Sequence, residues 1–162
     1  MAIDAFLKID GIPGESTDDK HKNWIEIESY AFSVTQPVSV ASATGGRTAS
    51  RVSINDFQIT KVADKSSPHL LLACCDGRHI KEVKVEVCEA SQNKHTYLVY
   101  TMNDVVVSSV QPAASKGSEK PLDAVSFNFG KITWEYTPLN QDGSPGSKVG
   151  PMGWDLTKNS KV

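Results

Sequence analysis

The 162-residue sequence predicts a mainly β domain with a single helix. Three observations lead to this prediction. Apolar and polar residues alternate over several segments, which is the period of a half-buried strand. Two of these segments change the phase of their alternation partway, which is typical of strands that bend around a barrel. Helical spacing together with helix start and stop signals is found near residues 67–75.

The alternating segments follow one another along most of the chain. The first begins at Ile3 and is ended by the glycines and proline of residues 11–14. We expect strands at 3–9, 24–35, 52–62, 81–89, 95–102 and 125–136. Residues 105–110 either continue the strand at 95–102 or form the next strand. The apolar parity changes across Asn55 and Asp56 and again across Gly130, so a bulge or strong bend is predicted at both places.

The helix is predicted from Ser67 to Cys75. Ser66 is suited to the N-cap position, and Pro68 is suited to the first turn. Gly77 follows the apolar run and can adopt the left-handed conformation that ends a helix. One face is expected to pack on the sheet, and its members are Leu70, Leu71 and Cys74.

Two segments are predicted to be loops, at residues 36–50 and 111–121. The first starts at Gln36, is rich in small residues, and contains Arg47 as its single charge. It is long for a connection in a compact domain, and long loops are often functional. Val38 and Val40 are spaced by two, so this extended loop could become a strand-like arm on meeting a partner.

The composition excludes several classes of partner. The formal net charge of −2 gives no electrostatic reason to bind nucleic acid. Apolar runs fall short of the roughly 18 residues that a membrane span needs, so we expect no membrane insertion. The first residues lack a basic region and a long apolar stretch, so they are not a secretory signal. We therefore expect synthesis in the cytoplasm, with any export by a route that needs no N-terminal signal.

Candidates for catalysis and metal binding are weak. The three cysteines form no disulfide framework, and we expect Cys74, Cys75 and Cys88 to be buried apolar residues. A nucleophile could pair one of them with a histidine: His69, His79 or His95. Cys74, Cys75 and His79 could start a metal site, although a fourth ligand is missing. We expect no catalytic, cofactor-binding or metal-binding residues.

One further candidate for catalysis is a pair of acidic residues. Glu26 and Glu28 share a side of the second predicted strand and could in principle act as an acid–base pair. An exposed side of an antiparallel sheet explains them as well, because such sides are normally polar.

Several stretches resemble the haemolysin-coregulated protein (Hcp) family, in the family's order and over nearly the whole chain. They are AIDAFLKI at 2–9, GES at 14–16, DKSSPHL at 64–70, AC at 73–74, GRH at 77–79, VSSV at 107–110, VSFNFG at 125–130, WEY at 134–136 and GWD at 153–155. The resemblance implies a β-barrel-like domain of two sheets with one flanking helix. It also implies a single tube domain over 1–162 without a C-terminal effector extension.

The same resemblance implies a function. Family members form hexameric rings that stack into the inner tube of the type VI secretion system, which is expelled by a contractile sheath. The implied partners are further copies, the sheath, the tip spike protein and small effectors in the ring lumen. By position, the segment with Gln36, Val38, Val40 and Arg47 would contact a neighbouring ring, and Ala31 and Ser33 are candidate lumen residues. A cytoplasmic protein that is later secreted is expected.

Two other functions remain open from the sequence. One is a monomeric β-barrel that binds a small ligand, which would need an apolar pocket with a few polar groups. The other is a thiol-dependent hydrolase that uses Cys74 or Cys75, which would need an exposed, activated thiol.

Overall fold

A computed structural model describes residues 2–40 and 46–162. Within those residues the chain forms 13 strands and one helix. In chain order these elements are β1 (Ile3–Ile9), β2 (Ile25–Ile27), β3 (Ser29–Ala31), β4 (Val34–Thr35), β5 (Val38–Val40), β6 (Arg47–Ala49), β7 (Ser53–Ile54), β8 (Phe57–Val62), α1 (Ser67–Asp76), β9 (Ile80–Glu89), β10 (Thr96–Ala113), β11 (Leu122–Tyr136), β12 (Val149–Asp155) and β13 (Ser160–Lys161). The prediction of a mainly β fold with one helix is confirmed.

Nine strands form one large antiparallel sheet around a single core. Its main path is β13-β12-β11-β10-β9-β1-β2, and β8 and β3 are attached to the first half of β11. On one side β11 pairs with β10, and on the other it pairs first with β8 and then with β12. Among the described residues no ladder joins β2 to β3, so the expected barrel-like arrangement is curved but not closed.

Residues 29–40 and 46–60 form a long antiparallel ribbon in three steps. The pairs β3–β8, β4–β7 and β5–β6 follow one another along it. Between the first two pairs, residues 32–33 lie opposite residues 55–57, which is the bulge predicted at Asn55 and Asp56. A second bulge sets residues 36–37 opposite residues 50–52. The first bulge separates β3 from β4, and the chain changes its pairing partner from β1 to β8 between β2 and β3, so the strand predicted at 24–35 is divided into three.

The ribbon also corrects the prediction of a loop at 36–50. Its ends pair as a short hairpin before any partner is present, with Val38 opposite Ala49 and Val40 opposite Arg47. Residues 41–45, which belong to the same predicted loop, lie outside the described residues. The alternation of Val38 and Val40 was therefore the signal of a strand rather than of a loop.

The bend predicted at Gly130 takes a different form. The pairing of β10 with β11 keeps its register there, and Asp104, the residue opposite Gly130, has a left-handed φ of 52°. The register shift lies instead between Val107 and Ser109. The predicted strands at 95–102 and 105–110 are consequently one long strand, β10, because a single irregular residue does not end a ladder.

Helix α1 closes one side of the core against β10. It runs to Asp76, one residue beyond the prediction, and Gly77 ends it with a φ of 64°. Leu70 and Ala73 are fully buried, whereas Leu71 is 41% exposed and Cys74 is only half-buried. The predicted packing face is thus correct for Leu70 and wrong for Leu71.

A buried lysine anchors the start of α1. Lys61 is fully buried in β8, directly opposite Asp123 of β11. Its Nζ donates to Asp64 at 2.9 Å, to Asp123 at 3.1 Å and to the Ser67 hydroxyl at 2.9 Å. Ser66 occupies the N-cap position as predicted but makes no side-chain cap, because its hydroxyl donates to Asp64 instead. Because these groups satisfy one another, the charge of Lys61 is tolerated inside the protein.

Candidate functional site

The outer side of four adjacent strands carries small and uncharged polar residues. Two rows cross β3, β8, β11 and β10 in register. We call them together the polar face: Ala31, Gln58, Ser126 and Ser109 in one row, and Ser29, Thr60, Ala124 and Gln111 in the other. They line a shallow cleft of about 460 Å³. No member carries a charge or a large apolar side chain, so this surface can make hydrogen bonds and close contacts with a broad range of partners.

The opposite side of the same strands explains why the polar face points outward. Tyr30 turns inward, where its ring stacks on Phe57 at 5.6 Å between ring centroids. Its hydroxyl lies 3.2 Å from that of Tyr100, and burial followed by this hydrogen bond raises the pKa of Tyr30. Because successive strand residues alternate sides, Ser29 and Ala31 must then lie outside.

The two predicted lumen residues differ in position. Ala31 is exposed and lies in the polar face. Ser33 is also exposed, but it lies beyond the cleft at the first bulge, where its hydroxyl accepts a hydrogen bond of 2.7 Å from Asn55. Sequence reasoning left open which side of this strand is outermost, and it missed the members of the polar face on β8, β10 and β11. Their alternation was visible, but the sequence alone does not show that the four strands are neighbours.

Two strands that bound the polar face pair with another strand on one side only. Among the described residues, β3 pairs only with β8. The second half of β10, from Val106 to Ala113, pairs only with β11. The reason is that β9 begins at Ile80, which lies opposite Val105. An unpaired strand side offers backbone groups to another chain, so both are candidate positions for pairing between copies.

The hairpin of β5 and β6, which we call the arm, projects from the far end of the ribbon. Val38 is 54% exposed and Arg47 is exposed. At the base of the arm, the Gln36 amide oxygen accepts a hydrogen bond of 3.0 Å from the Ser50 amide. Of the predicted contact residues, Val38, Val40 and Arg47 therefore lie on the arm and Gln36 lies at its base. No described residue of the arm belongs to the core.

The cysteines do not form the pairs that the sequence suggested. Cys88 is buried as expected, Cys74 is half-buried, and Cys75 is exposed, contrary to the prediction. His79 Nδ1 instead lies 2.7 Å from Asp104, and His95 Nε2 donates to the Thr137 carbonyl oxygen at 3.0 Å. Over the described ranges, no group of three or more histidine, cysteine and acidic side chains could hold a metal ion.

A histidine that the sequence search missed lies beside Cys88. His21 is buried, with its Nδ1 2.6 Å from Asp18 and its Nε2 4.0 Å from the Cys88 sulfur. The order Cys–His–Asp resembles a catalytic triad. However, Cys88 is fully buried, and burial raises the pKa of its thiol. An activated cysteine needs the opposite conditions, so the arrangement is best explained as core packing.

The surroundings of His21 support that explanation. Its ring lies parallel to Phe6 with the centroids 4.1 Å apart, and Trp24 contacts it edge-on. Burial opposes ionisation of Asp18, but hydrogen bonds from His21 and Lys94 outweigh it and hold the pKa of Asp18 below its ordinary value. These contacts fix the irregular segment before β2 on the sheet. This packing could not be predicted, because residues 18–22 have the composition of a solvated loop.

Glu26 and Glu28 are both exposed on the same side of β2, with buried Ile27 between them. Neither forms an ion pair with another described residue. In the described part of the chain there is no helix long and apolar enough to cross a membrane.

Comparison with known proteins shows the family. Residues 6–136 match the family model described as "Type VI secretion system effector, Hcp". This chain belongs to the Hcp family. It is 33% identical over 160 residues to "Protein hcp1" of Pseudomonas aeruginosa, with 98% of each chain covered.

Solved structures of Hcp-family and type VI proteins agree with this assignment. A type six secretion system protein superposes with a TM-score of 0.94 at 35% identity, covering 99% of this chain and 100% of the other. Hcp1 from Salmonella typhimurium gives a TM-score of 0.83 at 34% identity, with both chains fully covered. The family is one of type VI secretion components rather than a family of enzymes. A more distant Pseudomonas aeruginosa relative, 25% identical, is named "Major exported protein".

Proposed function

We propose that this Hcp-family chain is a structural subunit of the type VI secretion inner tube. Six copies form a ring, rings stack into a tube, and the contractile sheath expels the tube with its spike. The polar face lines the lumen and holds small effector proteins. The chain acts without catalysis, and it is made in the cytoplasm and exported by this route.

The observation that carries the proposal is the polar face together with the unpaired strands beside it. A closed ring needs two different surfaces on each subunit that fit each other. The unpaired sides of β3 and of the second half of β10 are two such surfaces at the borders of one four-stranded layer. Pairing of β3 in one copy with β10 in the next would continue the layer around a ring.

The chemistry of the polar face fits a lumen that carries different proteins. Its amide, hydroxyl and methyl groups offer hydrogen bonds without the strong preference for one partner that charges create. Phe57, Ile59, Val125 and Phe127 of the same strands point away from it, into the core. Ala31 lies in this face, and Ser33 at its end would lie near the rim of the opening.

The ring proposal is tested by the absolute mass of the purified protein, measured by light scattering after size-exclusion chromatography. The expected mass is six times the 17.6 kDa of one chain, with open-centred particles in negative stain. A mass of one chain at every concentration would contradict the proposal.

The lumen assignment needs its own variant. Ala31→Arg places a long charged side chain in the polar face, and it is expected to leave the ring mass unchanged while effector proteins no longer copurify. Lys81→Glu, at an exposed residue of β9 outside the polar face, is the matched control. Loss of effector copurification in both variants, or in neither, would count against the assignment.

One observation favours the ligand-binding alternative. An apolar cleft of about 430 Å³ opens between the ribbon and β12, and Phe32, Val34, Trp134 and Met152 are among its lining residues. A monomeric mass together with a rise in melting temperature on adding an apolar ligand would support that function. Burial of the same residues against a neighbouring copy is what the tube proposal expects.

A further inference from the structure

Two bulges on different strands bring three polar side chains together beside the polar face. Asp56 lies in the first bulge, directly before β8, and Ser108 is the extra residue where the pairing of β10 with β11 shifts its register. The Ser108 hydroxyl donates to one carboxylate oxygen of Asp56 at 2.6 Å, and the Asn128 side-chain amide donates to the other at 2.9 Å. Bulges commonly re-aim a side chain, and these two place a carboxylate and a hydroxyl in contact.

These residues extend the polar face by one row. Side chains on one side of a strand recur at every second residue, so Asp56 lies on the same side as Gln58, and Asn128 lies on the same side as Ser126. We call this row the third row, and its members are Ser33, Asp56, Asn128 and Ser108. The polar face and the third row together form one continuous outer side across β3, β8, β11 and β10.

Asp56 is the only charged residue of the polar face and the third row. No lysine, arginine or histidine nitrogen of the described residues lies within 4.0 Å of its carboxylate. The next acidic residue on β10, Asp104, differs because His79 lies 2.7 Å from it. The two hydrogen bonds of Asp56 come from neutral donors, so they orient the carboxylate without neutralising it. Its oxygens retain lone pairs for a donor from outside the chain.

In the proposed ring, each row becomes a band around the lumen. The rows cross the strands, and pairing of β3 with β10 of the next copy continues every row into that copy. Neighbouring strands are about 4.8 Å apart, so the four strands of one copy place successive Asp56 side chains about 19 Å apart around the band. This distance exceeds the screening length of about 8 Å in physiological salt, so each carboxylate acts as a separate contact. The third row is the band at the rim where Ser33 lies.

We propose that Asp56 binds lysine or arginine side chains of the effector proteins that the ring carries. Six copies give an acidic band at one rim of the lumen, which favours effectors with basic side chains on their surface. A small folded protein that fills the opening contacts more than one carboxylate at a time, and such simultaneous contacts increase the affinity. The inference rests on the proposed function, and it adds the chemical class of the cargo and the residue that selects it.

Binding of a lysine peptide to purified rings tests this inference. The probe is a fluorescent peptide of lysines separated by glycine and serine, and fluorescence anisotropy at low salt measures its affinity. Asp56→Asn removes the charge but keeps the size of the side chain. It is expected to weaken binding about fivefold or more, since one exposed ion pair is worth up to about that factor.

Glu26→Gln is the matched control for Asp56→Asn. It removes an exposed carboxylate of β2 that also lacks an ion pair among the described residues and lies outside the polar face. Its affinity for the lysine peptide is expected to stay within about twofold of the unmodified protein. Unchanged affinity in Asp56→Asn, or equal weakening in both variants, would overturn the inference.

Charge reversal gives a second test, which measures a gain of binding. Asp56→Lys is expected to form rings of unchanged mass that bind the corresponding glutamate peptide and no longer bind the lysine peptide. Lysine-peptide binding by these rings at the level of the unmodified protein would refute the role of Asp56. A monomeric mass of the unmodified protein would refute the proposed function itself. Intact rings with unchanged peptide affinities would refute only this inference.

Discussion

The core of the sheet and the arm are stabilised in different ways. Strands β8, β9, β10 and β11 bury fully packed side chains such as Phe57, Val85, Met102 and Phe127, and α1 adds Leu70. The arm has backbone pairing across β5 and β6, but its described side chains remain exposed. An isolated two-stranded hairpin is only marginally stable in water. The core therefore maintains the fold, whereas the arm contributes little to it and leaves its side chains available for a contact outside the subunit.

The largest effect on the free energy of unfolding is expected at the buried Lys61. Lys61→Met removes one partner of a buried ion-pair cluster and leaves Asp64 and Asp123 without their cation. The free energy of unfolding should fall by about 3–5 kcal/mol. Urea unfolding at one fixed protein concentration measures this, because association also contributes to apparent stability. A loss below about 1 kcal/mol would show that the cluster is not a structural anchor.

The next largest change in the free energy of unfolding is expected on the buried side of α1, and its exposed side supplies the control. Leu70→Ala should cost about 2–5 kcal/mol, because the side chain is fully buried. Leu72→Ala is the matched control, since Leu72 is 56% exposed and should change the free energy of unfolding of the subunit by less than about 1 kcal/mol. Similar losses in both variants would mean that the outer side of the helix is also buried in the assembled state.

These two cases show what the sequence could and could not predict. The helix limits and Gly77 followed from local signals, and so did most strands and the bulge at residues 55–56. The burial of Leu70 rather than Leu71 did not follow from local signals, because six consecutive apolar residues leave the buried side of a helix undefined. The Lys61 cluster and the polar face join strands that are distant in sequence, so only the strand order reveals them.

The arm is a second region where the local sequence was a poor guide to the structure. Its glycine- and serine-rich composition predicted a loop, and local preference is a weak guide when cross-strand pairing decides. That the predicted residues Gln36, Val38, Val40 and Arg47 contact a neighbouring ring stays a prediction. His21 was missed because its burial depends on Phe6 and Trp24, which lie outside the charged segment that contains it.

A smaller effect, with a defined pH dependence, is expected at the segment before β2. Asp18→Asn should cost about 1 kcal/mol at pH 7, after allowance for solvent. The lowered pKa of Asp18 means that its ionised form is favoured by folding. The stability difference between the two proteins should therefore be constant above the ordinary pKa of 3.8 and disappear as the pH falls through the lower folded value. Urea titrations at pH 7, 5 and 3 measure it. A difference that grows on acidification would contradict this sign.

The smallest effect is expected in the arm itself. Val38→Ser should change the free energy of unfolding by less than about 0.5 kcal/mol, because the side chain is 54% exposed and contacts no core residue. The same variant should weaken association between rings. Melting temperature and sedimentation velocity of the same sample separate the two outcomes. A marked loss of subunit stability would remove the distinction between the core and the arm.

Electron cryo-microscopy of the purified assembly tests the proposed tube subunit most directly. Six copies around an open centre are expected, with Ala31, Gln58, Ala124 and Ser126 facing the opening and the arm projecting along the ring axis. A ring whose opening is lined by another surface, with the polar face turned to the outside, would contradict it.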